Sequence, residues 1–378
     1  MTATTIDILA QRVFDGAGWH GPSLLRCADG LIAGLEPAPL AVPEGCLRLP
    51  DGAILAPGFI DVQVNGGGGV LLNDDPSVAT VRRIATAHRR FGTTGLLPTL
   101  ITDAPEKLQK LSAAASDALE VPGVLGFHLE GPALNTARKG IHPPRHIREL
   151  TQVDTAALVS IASIGRSLVT LAPERAGTDL IRTLSAAGLR VAAGHSEATG
   201  LQMQAAADAG LSGVTHLFNA MSQMTAREPG TVGAALADER LFAGIICDGL
   251  HVDPRNLKVA LKAKTRERLM LVTDAMPTAG SDVTAFRLLG RDIVLKDGRL
   301  TGPDGTFAGA HLTMIGAVRN AVTLIGASLE DALVMASATP AKFLGLNDRL
   351  GRIAEGYKAD LVAFTPDWRV VGTWIGSA

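Results

Sequence analysis

The stretch PGFIDVQVNGGGG, residues 57–69, has the pattern of a buried β-strand that ends in polar side chains. Asp61, Gln63 and Asn65 lie two residues apart, so on a strand their side chains point to the same face. Burying two uncharged amides without hydrogen-bond partners is costly. The stretch therefore predicts a strand whose polar face meets other polar groups, followed by a turn of glycines.

Short apolar runs bounded by glycine or proline alternate with longer stretches of helical periodicity from this strand onward. This alternation is typical of a parallel sheet with crossover helices. Eight such units predict an α/β fold, a (β/α)8 barrel of the TIM type. The eight runs are residues 58–65, 93–100, 123–130, 167–174, 189–195, 213–218, 242–248 and 268–274.

The two ends of the chain lack this βα period and carry short alternating segments and turns instead. A (β/α)8 barrel takes about 250 residues, and the chain has 378. We therefore expect residues 1–56 and 345–378 to form one small β-sandwich domain, and residues 57–344 to form the barrel domain. Asp-Gly turns predict a β-hairpin insertion at residues 281–310.

Composition excludes several classes of function. The net charge is −2 and basic runs are absent, which argues against a nucleic-acid partner. No apolar run approaches the ~20 residues that span a bilayer, and the start lacks the pattern of a signal peptide. Three scattered cysteines without CxxC spacing support neither a disulfide framework nor a zinc ribbon. A cytoplasmic protein without a membrane partner is expected.

Polar residues stand where several predicted strands end. Active sites of TIM barrels lie at the carboxyl ends of the strands, so these residues are expected to meet at one rim. A single strand histidine is more often structural than a ligand, but the joint occurrence of these residues favours a functional site. They are Glu130, His195, His216, Asp248 and Asp274.

Glu130, His195 and His216 are the candidate metal ligands. One carboxylate and two imidazoles suit Zn²⁺ or another divalent transition metal with an open position for water. Such a metal lowers the pKa of bound water from about 15.7 to about 7. Asp274 is then the candidate general base, and metal-assisted hydrolysis is the expected reaction class. His128 shares the face of Glu130, and a structural role is favoured for it.

Six segments, in this order along the chain, resemble the signatures of the amidohydrolase superfamily, and within it those of deacetylases that act on phosphorylated amino sugars. The terminal GRIAEGYKADLVAF resembles the segment with which that superfamily closes its β-sandwich. The resemblance covers nearly the whole chain. The six segments are PGFIDVQVNGGGG (57–69), HLEGPALN (128–135), AGHSEAT (193–199), THLFNAM (215–221), CDGLHVD (247–253) and LVTDAMPTAG (271–280).

The resemblance explains the two amides of the first strand. Many superfamily members have His-x-His where this chain has Gln63 and Asn65, and an amide is a poor zinc ligand. The fourth strand ends in LAPE, without the lysine that bridges two metals in some relatives. The resemblance therefore implies one divalent metal per subunit, zinc first, with iron, cobalt or manganese as alternatives. The amides are expected to hydrogen-bond around the site, although a role as simple strand caps stays open.

The resemblance further implies hydrolysis of the acetamide of N-acetylglucosamine 6-phosphate to glucosamine 6-phosphate and acetate, in amino-sugar catabolism and cell-wall recycling. His142 would act as a second catalytic residue by stabilising the charge that develops on the acetamide oxygen. The expected contacts of this small phosphosugar are Ile141, His142, Asn219, Ala220, Arg227, Asp248, His251, Phe307, Ala308, Gly309 and Ala310.

In the family, the arginine that matches Arg227 enters the site from the neighbouring subunit. The resemblance therefore implies a homodimer in which Arg227 crosses the interface. A serine is usual near the position of Ala310, so this contact departs from the family pattern.

Two alternatives to this function stay open. The first keeps the chemistry and changes the substrate to N-acetylgalactosamine 6-phosphate or to another amide, since nothing in the sequence defines the contacts to the C4 hydroxyl. The second is a barrel without catalysis that serves as a binding or assembly protein. Such barrels typically lose metal ligands or the general base. Here the candidate ligands and the candidate base are all present: Glu130, His195, His216 and Asp274.

Overall fold

The computed structural model describes residues 5–41 and 43–376. The N-terminal part of the chain is built from short strands, because it combines alternating apolar residues with frequent turns. These strands are β1 (Thr5–Ala10), β2 (Arg12–Phe14), β3 (Trp19–His20), β4 (Ser23–Ala28), β5 (Leu31–Pro37), β6 (Leu47–Arg48) and β7 (Ile54–Pro57).

The middle of the chain alternates parallel strands with helices. Its strands are β8 (Phe59–Val64), the short pair β9 (Gly66–Gly67) and β10 (Val70–Leu71), β11 (Thr93–Ile101), β12 (His128–Glu130), β13 (Leu168–Leu171), β14 (Arg190–Ala193), β15 (Leu211–Val214), β16 (Phe242–Ile246) and β17 (Leu269–Val272). Its α-helices are α1 (Val78–Arg89), α2 (Pro105–Leu119), α3 (Gln152–Ile164), α4 (Pro173–Ala186), α5 (Gly200–Asp208), α6 (Gly230–Ala237) and α7 (Pro254–Lys264). Two 3-10 helices, Thr136–Arg138 and Pro144–His146, lie between β12 and α3.

The last part of the chain adds a small sheet, three helices and two final strands. These elements are β18 (Ala285–Leu288), β19 (Arg291–Lys296), β20 (Arg299–Thr301), β21 (Phe307–Ala310), α8 (Met314–Thr323), α9 (Leu329–Ala336), α10 (Ala338–Leu344), β22 (Leu361–Phe364) and β23 (Val370–Trp374).

Eight parallel strands form the predicted barrel. Their order in the sheet is β8, β11, β12, β13, β14, β15, β16 and β17, which is also their order along the chain. The first and last strands are joined at their carboxyl ends, where the amide of Asp274 donates to the carbonyl of Gln63 over 3.0 Å. The amide of Asn65 donates in turn to the carbonyl of Ala275, also over 3.0 Å. The expected barrel fold is thus confirmed.

A two-sheet β-sandwich stands beside the barrel, as expected. One sheet has the order β5, β4, β1, β6, and the other has the order β23, β22, β7, β2, β3. The second sheet combines both chain ends, because β22 pairs antiparallel with β7. A separate apolar cluster that includes Ile8, Leu25, Leu55 and Leu361 fills the sandwich. Each fully buried leucine or isoleucine stabilises such a core by roughly 1.5–3 kcal/mol.

Close packing ties the base of the barrel to the sandwich. The ring of Phe59 in β8 lies 6.5 Å from that of Phe364 in β22. Gly92, just before β11, has φ +87°, and a Cβ there would come within 2.7 Å of Val362 and 2.8 Å of Phe59. Only glycine fits this contact without displacing its neighbours. The limits proposed above for the two domains, 1–56 with 345–378 and 57–344, stay a prediction.

The segment expected to form a hairpin, 281–310, contains a four-stranded antiparallel sheet in the order β18, β19, β20, β21. Its last strand is bonded to the end of the eighth barrel strand. The amide of Ala310 donates to the carbonyl of Asp274 over 2.9 Å, and the amide of Met276 donates to the carbonyl of Ala310 over 3.2 Å. This sheet therefore carries β21 to the rim of the barrel.

Among the helices in residues 5–41 and 43–376, none combines the length and the apolar character required to cross a membrane.

Candidate metal-dependent active site

The four residues expected to carry the chemistry meet at the carboxyl end of the barrel. Glu130 is the last residue of β12. Each of the other three lies two positions beyond the end of a strand: His195 after β14, His216 after β15 and Asp274 after β17. The backbone turns sharply at these three positions, with φ of +50°, +35° and +50°. The left-handed region costs an L-residue roughly 1–2 kcal/mol. Strain of this kind collects at functional sites, where the surrounding structure maintains it.

Three potential ligand atoms lie at hydrogen-bond distance from one another. Oε1 of Glu130 lies 2.8 Å from Nε2 of His195 and 3.1 Å from Nε2 of His216. The two Nε2 atoms are 3.1 Å apart. All three residues are buried, and this group is a possible metal site within the described part of the chain.

The hydrogen bond of His195 shows which of its ring nitrogens can bind a cation. Its Nδ1 lies 2.7 Å from the backbone carbonyl oxygen of Arg138. A carbonyl oxygen only accepts, so Nδ1 carries the hydrogen, and in the neutral ring Nε2 presents a lone pair. That lone pair faces the Glu130 carboxylate, a repulsive arrangement unless positive charge lies between them. Metal-ligating histidines usually hold their second nitrogen in this way, so the donor set fits a divalent metal.

The pKa shifts of Glu130 and His216 also indicate that the site attracts positive charge. Burial alone would raise the pKa of Glu130, but the close contacts of its carboxylate with the rings of His142, His195 and His216 outweigh burial and hold this pKa well below its ordinary value. Burial alone would lower the pKa of His216, and its hydrogen bond and charge interaction with Glu130 instead raise that pKa. The centre of the site therefore favours an ionised carboxylate and attracts positive charge.

Asp274 stands beside this group and is bound by the two amides of the first strand. Nδ2 of Asn65 donates to its Oδ1 over 2.6 Å, and Nε2 of Gln63 donates to the same oxygen over 3.1 Å. Nε2 of Gln63 also lies 3.3 Å from Oε2 of Glu130. Burial, followed by the negative charge of Glu130, raises the pKa of Asp274 to about 6. The amides thus hold two neighbouring carboxylates without adding charge.

A cavity of about 340 Å³ opens above these residues, which is within the usual size range of small-molecule sites. It is lined by the three candidate ligands, Asp274 and Asn65, and by most of the expected substrate contacts. Those contacts are Ile141, His142, Asn219, Ala220, His251, Phe307 and Gly309.

Four expected substrate contacts do not line the cavity. Asp248 instead lies behind His251, with its Oδ2 2.6 Å from Nδ1 of that ring. Ala308 and Ala310 are buried in the apolar packing next to the rim. Arg227 is exposed and lines a different surface cavity of its own chain.

Sequence reasoning missed several residues of the cavity wall. Arg138 lines the cavity, and its backbone carbonyl also accepts from Nδ1 of His195, a contact that no side-chain pattern reveals. Met276 follows the candidate base by two residues, a spacing that could have suggested it. The other wall residues that were not expected are Ile101, Ala137, Gly140, Ile246 and Thr306.

His128 lies beneath the site in a buried chain of hydrogen bonds. Its Nε2 is 2.7 Å from Oγ1 of Thr170, which is 2.6 Å from Oγ1 of Thr215. Burial, as the largest cause, lowers the pKa of His128 to about 4, so the ring is neutral near pH 7. This placement agrees with the structural role favoured for it.

A barrel that brings a buried carboxylate, two imidazoles and a neighbouring aspartate to its carboxyl rim has the architecture of a metal-dependent hydrolase. The model of the Amidohydrolase family matches residues 54–377. The chain therefore belongs to the amidohydrolase family, and it is a hydrolase.

Similar proteins share nearly the full length of the chain. It is 44% identical to N-acetylgalactosamine-6-phosphate deacetylase of Shewanella sp. (strain ANA-3), over 93% of this chain and 90% of that protein. It is 37% identical to N-acetylglucosamine-6-phosphate deacetylase of Haemophilus influenzae, over 84% of each. The crystal structure of N-acetylglucosamine-6-phosphate deacetylase from Pasteurella multocida superposes with a TM-score of 0.94 at 35% identity, over 98% of each chain.

The ligand set predicts metal binding that depends on Glu130. Glu130→Gln keeps the shape of the side chain but replaces a charged ligand oxygen by a neutral amide. We expect metal affinity to fall more than about 100-fold, beyond the usual effect of a residue that only supports a ligand. Metal content of the purified, folded protein measures this. His311→Gln, at an exposed histidine outside the cavity, is the control, and equal metal content in both variants would refute the assignment.

Proposed function

We propose that this chain is a deacetylase that hydrolyses the acetamide of N-acetylglucosamine 6-phosphate to glucosamine 6-phosphate and acetate, in amino-sugar catabolism and cell-wall recycling. The observation that carries the proposal is the pairing of Asp274 with the Glu130, His195 and His216 group in one cavity of suitable size. The similar deacetylases supply the substrate class. A cytoplasmic location is part of the proposal, supported by three unpaired cysteines.

One divalent metal per subunit belongs to the proposal. Zinc is the first choice, and Fe²⁺, Co²⁺ or Mn²⁺ suit the same ligands. When bound by Glu130, His195 and His216, it would polarise the acetamide carbonyl and lower the pKa of water. The amides Gln63 and Asn65 stand where many superfamily members have two histidines, which supports a single metal.

Asp274 is the proposed general base. It would take a proton from the attacking water and deliver it to the nitrogen of the departing amine. Its raised pKa of about 6 lies close to neutral pH, where a carboxylate can both accept and return a proton. The amides that donate to Oδ1 hold the carboxylate in position through the exchange.

His142 is the proposed donor to the acetamide oxygen. Its ring lies 4.4 Å from that of His195, between ring centres, and its Nε2 is 3.7 Å from Oε1 of Glu130. Burial, as the largest cause, lowers the pKa of His142 to about 4, so the ring is neutral at pH 7. A neutral imidazole still carries one N–H, which can stabilise developing negative charge.

The loop after His216 and the side chain of His251 are proposed to bind the 6-phosphate. Asn219 and Ala220 line the cavity beside His251. The Asp248 carboxylate accepts from Nδ1 of His251, which leaves Nε2 of that ring for a ligand. We therefore propose that Asp248 acts by orienting His251. Phe307, whose ring centre lies 4.7 Å from that of His251, would cover the sugar together with Gly309.

N-acetylgalactosamine 6-phosphate is the second candidate substrate. The relatives from Shewanella and from Escherichia coli O157:H7, at 44% and 38% identity, are N-acetylgalactosamine-6-phosphate deacetylases. The two sugars differ only in the orientation of the C4 hydroxyl, so the ligand set and the base serve both equally.

The substrate is tested by acetate release from both 6-phosphates and from unphosphorylated N-acetylglucosamine. We expect N-acetylglucosamine 6-phosphate to be cleaved, the sugar without phosphate to be a poor substrate, and chelation to stop the reaction until metal is restored. A larger kcat/KM for the galacto sugar would move the assignment to the second candidate. Failure to cleave either phosphosugar with metal restored would refute the proposed function.

The role of Asp274 predicts a pH profile. The base must be ionised, so kcat/KM should fall as the pH drops through the pKa of this carboxyl, which is about 6 without metal. A bound cation favours the carboxylate and moves this fall to lower pH. Asp274→Asn should keep its metal and lose about 10²–10⁴-fold in kcat. Metal content measured at each pH separates loss of the base from loss of metal, and substantial residual turnover in Asp274→Asn would contradict the assignment.

We also propose that the active form is a homodimer in which Arg227 completes the site of the partner. Arg227 is exposed and lies outside the cavity of its own chain. A guanidinium suits phosphate oxygens because it donates two parallel hydrogen bonds. A second subunit is the simplest way to bring this side chain to the phosphate.

Mixing two inactive variants tests this arrangement. Arg227→Ala and Asp274→Asn should each have low activity with the phosphosugar. After unfolding and refolding together, mixed dimers contain one site with both groups intact, so about one quarter of wild-type activity should return. Each variant refolded alone is the control. Absence of recovery in dimers shown by mass to be mixed would overturn the shared site.

A further inference from the structure

Asp61 is a buried carboxylate that the proposed reaction does not use. Its side chain is fully buried in β8, and burial, as the largest cause, raises its pKa to about 7. Removing a carboxyl group from water is costly without partners. Asp61 lies on the same strand face as Gln63 and Asn65, but it does not line the cavity. Its partners therefore indicate what it does.

Two of its three hydrogen-bond partners belong to Thr273, across the seam between the first and last barrel strands. Oδ2 of Asp61 accepts from the hydroxyl of Thr273 at 2.5 Å. Oδ1 accepts from the backbone amide of Thr273 at 3.2 Å, and from that of Gln63 at 3.2 Å. The carboxylate thus bridges β8 and the segment that follows β17.

Thr273 also bonds to the residue that follows the candidate base. Its Oγ1 accepts from the backbone amide of Ala275 at 3.2 Å. The amides on both sides of Asp274 are therefore tied to Asp61, one directly and one through a hydroxyl. Asp274 itself has φ +50°, a left-handed conformation that is uncommon for a residue other than glycine.

We infer that Asp61 is a positioning residue for the base, which acts through Thr273 to hold the left-handed turn at Asp274. The strands β8 and β17 are not neighbours in the sheet ladder. Around this turn, side-chain bonds from Asp61 and Thr273 supplement the few backbone bonds of the seam. The turn directs the carboxylate of Asp274 to Asn65 and to the cavity. This inference rests on the proposed function, in which Asp274 is the base.

Thr273→Val tests the inference with little change in volume. Loss of the hydroxyl removes the donor to Asp61 and the acceptor for Ala275. We expect kcat to fall roughly 10–100-fold, because small misplacement of a reacting group has effects of this size. KM and metal content should stay within about twofold of wild type, since neither the substrate contacts nor the ligands change. Thr273→Ser restores the hydroxyl and should restore kcat to within about threefold of wild type.

Thr93→Val is the matched control. Thr93 is equally buried, in barrel strand β11, and its hydroxyl has no hydrogen-bond partner. This variant should therefore keep its wild-type kcat. Asp61→Asn should also lower kcat, and its effect should not add to that of Thr273→Val, because both act through one hydrogen bond. Full additivity of the two effects would overturn the coupling.

A measurement that needs no substrate tests the role of Asp61 separately from the proposed deacetylase function. Crystal structures of metal-loaded wild type and Thr273→Val give the distance between Oδ1 of Asp274 and Nδ2 of Asn65. We expect this distance to exceed hydrogen-bond length in the variant. A distance and a kcat that both equal the wild-type values would overturn the role of Asp61. Wild-type protein that cleaves no phosphosugar would refute the proposed function, and the variant's geometry would still decide this inference.

Discussion

A buried carboxylate oxygen that faces two imidazole nitrogens within 3.1 Å is the constraint on which the rest of the site depends. The carbonyl of Arg138 holds the proton of His195 on Nδ1, so a lone pair points at Glu130. These three atoms therefore favour a cation between them. Three different strand ends bring their side chains to one point to build this group, and the curvature of the barrel makes these ends converge.

The neighbouring carboxylate of Asp274 adds a second constraint, because two negative groups at one rim repel each other. Both carboxylates accept hydrogen bonds from neutral amide groups. Gln63 touches both carboxylates and Asn65 touches Asp274, so each carboxylate gains hydrogen bonds while the net charge stays the same. Histidines at these two positions would instead offer further ligands. The same two amides thus hold the carboxylate of Asp274 in place beside that of Glu130.

The sequence is most informative about the site where one rule of the fold decides which residues meet. Glu130, His195, His216 and Asp274 were expected to lie together because polar residues at the ends of parallel strands share a rim, and the structure brings them to one cavity. The sequence is less informative where a side chain has more than one possible partner. Asp248 was expected to touch the substrate, but its carboxylate binds His251. The segment 281–310 was expected to form a hairpin, yet Asp-Gly turns indicate where strands reverse and not how many strands pair.

The sequence by itself determined the alternation of strands and helices, the types of residue at the strand ends and the resemblance to amidohydrolases. These properties depend on local periodicity and on motifs that need no knowledge of distant contacts. Only the tertiary structure decided which nitrogen of His195 faces the carboxylate, that Arg227 lies outside its own cavity, and that Asp61 reaches Thr273. Each of these depends on side-chain and backbone geometry between residues far apart in the chain, which a linear pattern does not contain.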